Sequence, residues 1–203
     1  MPPPTRSLKK LAQEVEQEVK RQAQEGRRVR LMFPDEARFG RINAPRRCWV
    51  PQGVRPTVGR QIGREDTYAF GAVSPHDGTL VSLIMPVVTA EVMSTFLGEV
   101  ARRHPEEFIL LVLDSPGWHR AHNLTVPENM KLLPLPPYSP QLNPMEPLWD
   151  EVRGKWLATI IFDSLAGAED RLDESLVYLE QDKNLVASTT GCDWLISLSL
   201  IAN

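Results

Sequence analysis

The apolar run Phe-Ile-Leu-Leu-Val-Leu at residues 108–113 constrains this chain of 203 residues more than any other feature. It is strand-sized and apolar on both faces, which marks a central strand covered by helices above and below. The neighbouring patterns extend that picture. Residues 29–33 read as a first strand. Residues 67–73 and 79–85 read as two more, and the intervening Ser74-Pro75-His76-Asp77-Gly78 carries the Asp-Gly signal of a hairpin. Residues 89–104 form a helix capped by Thr89, with Val92, Phe96 and Val100 on one face. A loop and short helix lead to a strand at 131–135, and the turn-rich 136–144 opens a long helix to about residue 159. More helix fills 168–184, after a break near 163–167. Upstream, residues 7–24 form an amphipathic helix with Leu8, Leu11, Val15 and Val19 at helical spacing and Gly26 as its stop. Residues 41–64, rich in Arg, Pro and Gly, read as loops with one minor strand at Cys48-Trp49-Val50 and a hairpin. The expected class is α/β: a mixed five-stranded sheet flanked by helices.

A hydrophobic content of 42% and a charged content of 24% exclude a disordered or fibrous chain. No apolar run is long enough to span a bilayer, and the N-terminus lacks a signal-peptide core, so no membrane association and a cytoplasmic location are expected. Cys48 and Cys192 lie far apart and read as free, buried thiols; with only four scattered histidines, zinc is not expected. The net charge of −3 conceals an asymmetry. Residues 1–64 hold 15 Lys and Arg against 6 Asp and Glu, whereas 65–203 hold 8 against 20. One electropositive region able to meet a polyanion is the functional reading, and a solvated basic helix is the structural one. The division expected is a basic helical segment at 1–28 and one domain at 29–203.

Three carboxylates stand where such a fold gathers ligands, beyond the carboxyl ends of its strands. Asp114 follows the buried 108–113 run, Asp35 follows the first strand, and Glu146 lies in the first turn of the long helix. Each has a structural alternative: an Asp ending a strand turns the chain, and Glu146 completes a capping box from Asn143 with Pro144 at the first helical position. Yet the helix stripe Met145, Leu148, Trp149, Val152 and Trp156 should dock on the sheet and bring Glu146 over it. Converging carboxylates repel unless a cation intervenes. Hard oxygen ligands without Cys or His point to Mg²⁺ or Mn²⁺. Two such ions suit phosphoryl transfer, with Asp35 bridging them and Asp114 and Glu146 each holding mainly one.

The surrounding segments carry a resemblance. Phe33-Pro34-Asp35-Glu36-Ala37-Arg38-Phe39, Leu113-Asp114-Ser115-Pro116-Gly117-Trp118-His119-Arg120 and Ser139-Pro140-Gln141-Leu142-Asn143-Pro144-Met145-Glu146-Pro147-Leu148-Trp149 resemble the three motifs of DDE-type transposases, in the mariner-like superfamily and its bacterial insertion-sequence branch. The third is the most specific, and Thr190-Gly191-Cys192-Asp193-Trp194 resembles an ending common in that branch. The likeness spans roughly residues 30–195. It implies a ribonuclease H-like catalytic core, whose strand order the sequence matches, with Asp35, Asp114 and Glu146 as catalytic and metal-binding residues. It also implies Mg²⁺ or Mn²⁺, two ions per site, and cutting and joining of DNA at transposon ends and target by a homodimer. Two features depart from the family. Ser115-Pro116-Gly117 replaces the usual Asn-Ala-Pro order. Only about 28 residues precede the first strand, where relatives carry helix-turn-helix modules, so a separate helix-turn-helix chain, a split reading frame or a truncation is expected.

Arg38, Arg41, Arg46, Arg47, His119 and Arg120 flank the first two motifs and are candidates for DNA contact. Trp149 and Trp156 read as core, Trp49 and Trp118 are open between core and stacking, and Glu36 points away from Asp35 if the strand continues. Two other functions fit the same residues: a stand-alone nuclease of this fold, and a non-catalytic remnant that binds DNA or a full-length partner.

Overall fold

The computed structural model describes residues 5–41, 49–55, 57, 63–114, 123–135, 143–158 and 160–191. The first helix, α1, runs Thr5–Gln24, and β1 follows at Arg28–Gly40. Then come β2 (Asp66–Ser74), β3 (Thr79–Met85), α2 (Ala90–Arg103), β4 (Glu107–Leu113) and β5 (Met130–Pro134). The helix α3 (Met145–Glu151) continues as a π-helical stretch at Val152–Leu157, and α4 (Leu165–Gln181) and α5 (Lys183–Thr190) are the last elements of the described residues. The five strands form one sheet in the order β3-β2-β1-β4-β5. The β1–β2 and β2–β3 pairs are antiparallel, and β1–β4 and β4–β5 are parallel. This is the mixed sheet expected of a ribonuclease H-like domain.

The apolar run in β4 divides as its pattern requires. Phe108, Leu110 and Val112 enter one core with residues of α1, α3, α4 and α5, while Ile109 and Leu111 enter a second core under α2. Successive strand residues alternate faces, so a strand covered on both sides must be apolar throughout. The hairpin turns at Gly78, whose φ of +68° only glycine adopts without strain. Thr89 caps α2 by accepting from Val92 N at 3.2 Å. On α1, Leu11 and Val15 are buried in the core, and Glu18 is tied to Lys131 Nζ of β5 at 2.6 Å.

Two expectations need correction. β1 does not stop at Phe33: it continues through Pro34, Asp35 and Glu36 to Gly40. Its parallel pairing with β4 ends at Met32, and beyond that only β2 pairs with it. A proline is tolerated where one side of a strand has no partner to receive its missing N–H. The helix that carries Glu146 also departs from regular α geometry after Glu151. The minor strand and hairpin expected in 41–64 do not occur among the described residues there. Cys48, Cys192, Trp118 and the short helix expected after β4 lie outside the described residues. No described helix is long and apolar enough to cross a membrane.

Candidate active site

The parting of β1 from β4 beyond Met32 opens the sheet at the carboxyl end of β4, partway along β1. Their register pairs Met32 with Leu111; carried onward, it sets Asp35 level with Asp114. Strand alternation sends Asp35 to the α3 face with Phe33 and Ala37, and Glu36 to the other face. Asp35 is half-buried, whereas Asp114 and Glu146 are exposed at the rim.

The electrostatics link the three. Burial, then the negative charges of Glu36 and Glu146, and more weakly that of Asp114, push the Asp35 carboxyl up to about 7, against the pull of a hydrogen bond from Trp149. Partial desolvation likewise raises the Asp114 carboxyl. Asp35 thus lies within reach of the charges of both Glu146 and Asp114. Among the described residues, no group of three or more His, Cys, Asp and Glu side chains is placed so that it could hold a metal ion as it stands. The donor set still fits a hard divalent cation: it is carboxylate oxygen alone, and its like charges crowd Asp35.

Glu146 is not engaged as a cap. Asn143 Oδ1 accepts from Met145 N at 3.0 Å, but among the described residues no hydrogen bond closes a capping box to the Glu146 carboxylate. The apolar stripe does what its spacing suggests: Met145, Leu148, Trp149 and Val152 are buried against the sheet. Trp156 is partly buried, packed on Tyr178 and under the Arg171 guanidinium.

One contact escaped the sequence. Trp149, 1% exposed, donates from Nε1 to Asp35 Oδ2 at 3.0 Å. The available signal was general: a buried indole N–H needs an acceptor, and Asp35 is the polar group on the face where this helix docks.

The basic residues divide. Arg38 is exposed, 3.5 Å from Asp66. Arg41 turns inward and donates to the carbonyls of Phe162 and Asp163 at 3.2 and 2.7 Å, and it pairs with Glu65. It fastens the end of β1 to the segment before α4. Arg46, Arg47, His119 and Arg120 lie outside the described residues. Two arginines not singled out in the sequence lie near Arg38. Arg64 lines a cavity of about 370 Å³ with Arg38, Phe39, Gly40 and Asp66, and Arg153 sits over the Phe39 ring. Trp49 is fully exposed.

A mixed sheet of this order, with Asp35 within β1 and Asp114 just past the end of β4, has the architecture of a ribonuclease H-like domain. Residues 30–166 match the DDE superfamily endonuclease family, and the chain belongs to that family. It is 42% identical over 96 residues to uncharacterized protein y4pE/y4sA of Sinorhizobium fredii, covering 47% of this chain and 71% of that protein. Among solved structures, the catalytic domain of Mos1 mariner transposase matches with a TM-score of 0.53 at 16% identity, over 97% of this chain and 95% of that one. The Mos1 mariner paired end complex with Mn matches with a TM-score of 0.59 at 17% identity. That match covers all of this chain and 64% of the transposase chain. At such identities the likeness is one of fold.

Proposed function

We propose that this chain is the catalytic domain of a DDE-type transposase, which cleaves DNA at transposon ends and transfers the freed strand to a target. The observation that carries the reading is the neighbourhood of Asp35, Asp114 and Glu146, each delivered by a different element to the open end of the sheet. Membership of the endonuclease family and the fold shared with the Mn complex of Mos1 support Mg²⁺ or Mn²⁺ as the cofactor; two ions per site is the count that suits phosphoryl transfer. When bound, the metal pair supplies activation of the attacking hydroxyl and stabilisation of the leaving oxygen. The chain's own part is to position charge. Asp35, held on a strand in the sheet, is the fixed carboxylate, and Asp114 just past β4 and Glu146 in the first turn of α3 are its partners. Arg38, with Arg46, Arg47, His119 and Arg120, is suited to phosphates of the DNA; the inward-turned Arg41 is reserved for the fold. A homodimer on paired transposon ends completes the reading.

A nicking assay on supercoiled DNA with Mg²⁺ or Mn²⁺ tests it. The wild-type chain should nick, and Asp35→Asn, Asp114→Asn and Glu146→Gln should each lose at least about 100-fold, as expected when a pre-organised charged group at the reacting centre is removed. Nicking by Asp35→Asn in either metal would overturn the site. Joining of pre-cut ends to a target separates a transposase from a hydrolase of the same fold.

A further inference from the structure

We infer that Trp149 is a positioning residue, which fixes the Asp35 carboxylate in the orientation that receives a divalent cation. The inference rests on the proposed reading of Asp35 as a metal ligand. Its observation is separate: the 3.0 Å hydrogen bond from the buried indole Nε1 to Oδ2.

The geometry looks built for this contact. Asp35 stands opposite Gly71 in the β1–β2 register. A Cβ on Gly71 would lie 2.4 Å from Met145 Cε and 3.0 Å from the far edge of the Trp149 ring. The strand partner of Asp35 thus lacks a side chain where the indole must pass to reach the carboxylate. Phe39, two residues along β1 from Ala37 on the same face, holds the indole edge-on, with ring centres 5.9 Å apart. The ring is gripped by the core, so its single N–H has one fixed direction. A carboxylate holding that donor on Oδ2 is fixed in rotation, which leaves Oδ1 as the oxygen available to a cation. Partners that orient a metal ligand in this way typically change metal affinity by roughly 10–100-fold when removed.

The test uses the full chain and Mn²⁺ binding, read by electron paramagnetic resonance of the free ion, below the thermal transition of each variant. Trp149→Phe should weaken binding roughly 10–100-fold, and Gly71→Ala, which displaces the ring without deleting it, should weaken it in the same direction. In an Asp35→Asn background the Trp149→Phe effect should disappear, because the indole acts through that carboxylate. Independently, the Trp149 indole ¹H–¹⁵N resonance of the wild-type chain should move on adding Mg²⁺ and stay still in Asp35→Asn. This readout needs no Trp149 variant to fold. Wild-type Mn²⁺ affinity in Trp149→Phe, an additive loss in the double variant, or an indole resonance indifferent to Mg²⁺ each overturns the positioning role while leaving the metal site intact. Unchanged Mn²⁺ binding by Asp35→Asn overturns the metal site, and the positioning role with it.

Discussion

Arg30 is a charged side chain within the central sheet, 17% exposed, and it is tolerated because two carboxylates flank it. Asp77 accepts from its Nη1 at 2.7 Å, and Glu107 from its Nε. His104 Nδ1 lies 3.3 Å from Glu107, and burial lowers the imidazole pKa. This cluster sits at the end of β1 and β4 remote from the candidate site, so its consequence is for stability. Burial alone would raise the Asp77 carboxyl, but hydrogen bonds from Arg30 and Thr79 overcome it and hold it at about 2, below its ordinary 3.8. A folded-state pKa below the unfolded one stabilises the chain above pH 3.8 and loses that contribution as pH falls toward 2. Urea unfolding at pH 7, 4 and 3 should therefore show a steeper acid loss in wild type than in Asp77→Asn; parallel curves would remove the assignment. Arg41 shows why such residues mislead in a sequence. Its spacing from Asp35 looks like a DNA contact, but the approach of Phe162 and Asp163, with Glu65, gives it internal acceptors.

At the scale of elements, local chemistry and tertiary pairing contributed differently. The hairpin was legible because Asp-Gly needs no distant partner: Gly78 adopts its positive φ within the turn. Its tightness was not legible, since a Cβ there would lie 1.9 Å from Lys183 O of α5. Thr89 was legible as a cap for the same local reason, and Thr89→Ala should cost about 1 kcal/mol of stability. Because α2 covers the face away from α3, DNA nicking at a temperature where the variant is folded should be unchanged. A loss of nicking without a loss of stability would contradict that separation. The length of β1 was illegible. Pro34 and Asp35 read as a strand's end, and they continue it only because β4 has released that side of β1. The same release opens the sheet beside Asp35 and Asp114.

For the whole molecule, α1 is the informative element. Its basic composition suggests a separate segment, yet Leu11 and Val15 are buried in the same core as α3 and α4, and Glu18, 3% exposed, is paired with Lys131. Burying an aliphatic side chain is worth about 1.5–3 kcal/mol. Deleting residues 1–24 should therefore lower stability by roughly 3–6 kcal/mol, measured by thermal denaturation, whereas an unchanged transition would mark α1 as an independent appendage. The class of fold follows from the linear pattern, because the 108–113 run has one stable use. Asp114 and Glu146 follow from it too, because one ends and the other opens an element whose pattern is local. What those residues meet was settled by tertiary contact. It set Asp35 inside a strand level with Asp114, left Glu146 uncommitted to its own cap, and aimed the Trp149 indole at Asp35 across a space kept open by Gly71. Periodicity reports which face a residue occupies, but the partner on that face comes from a distant part of the chain.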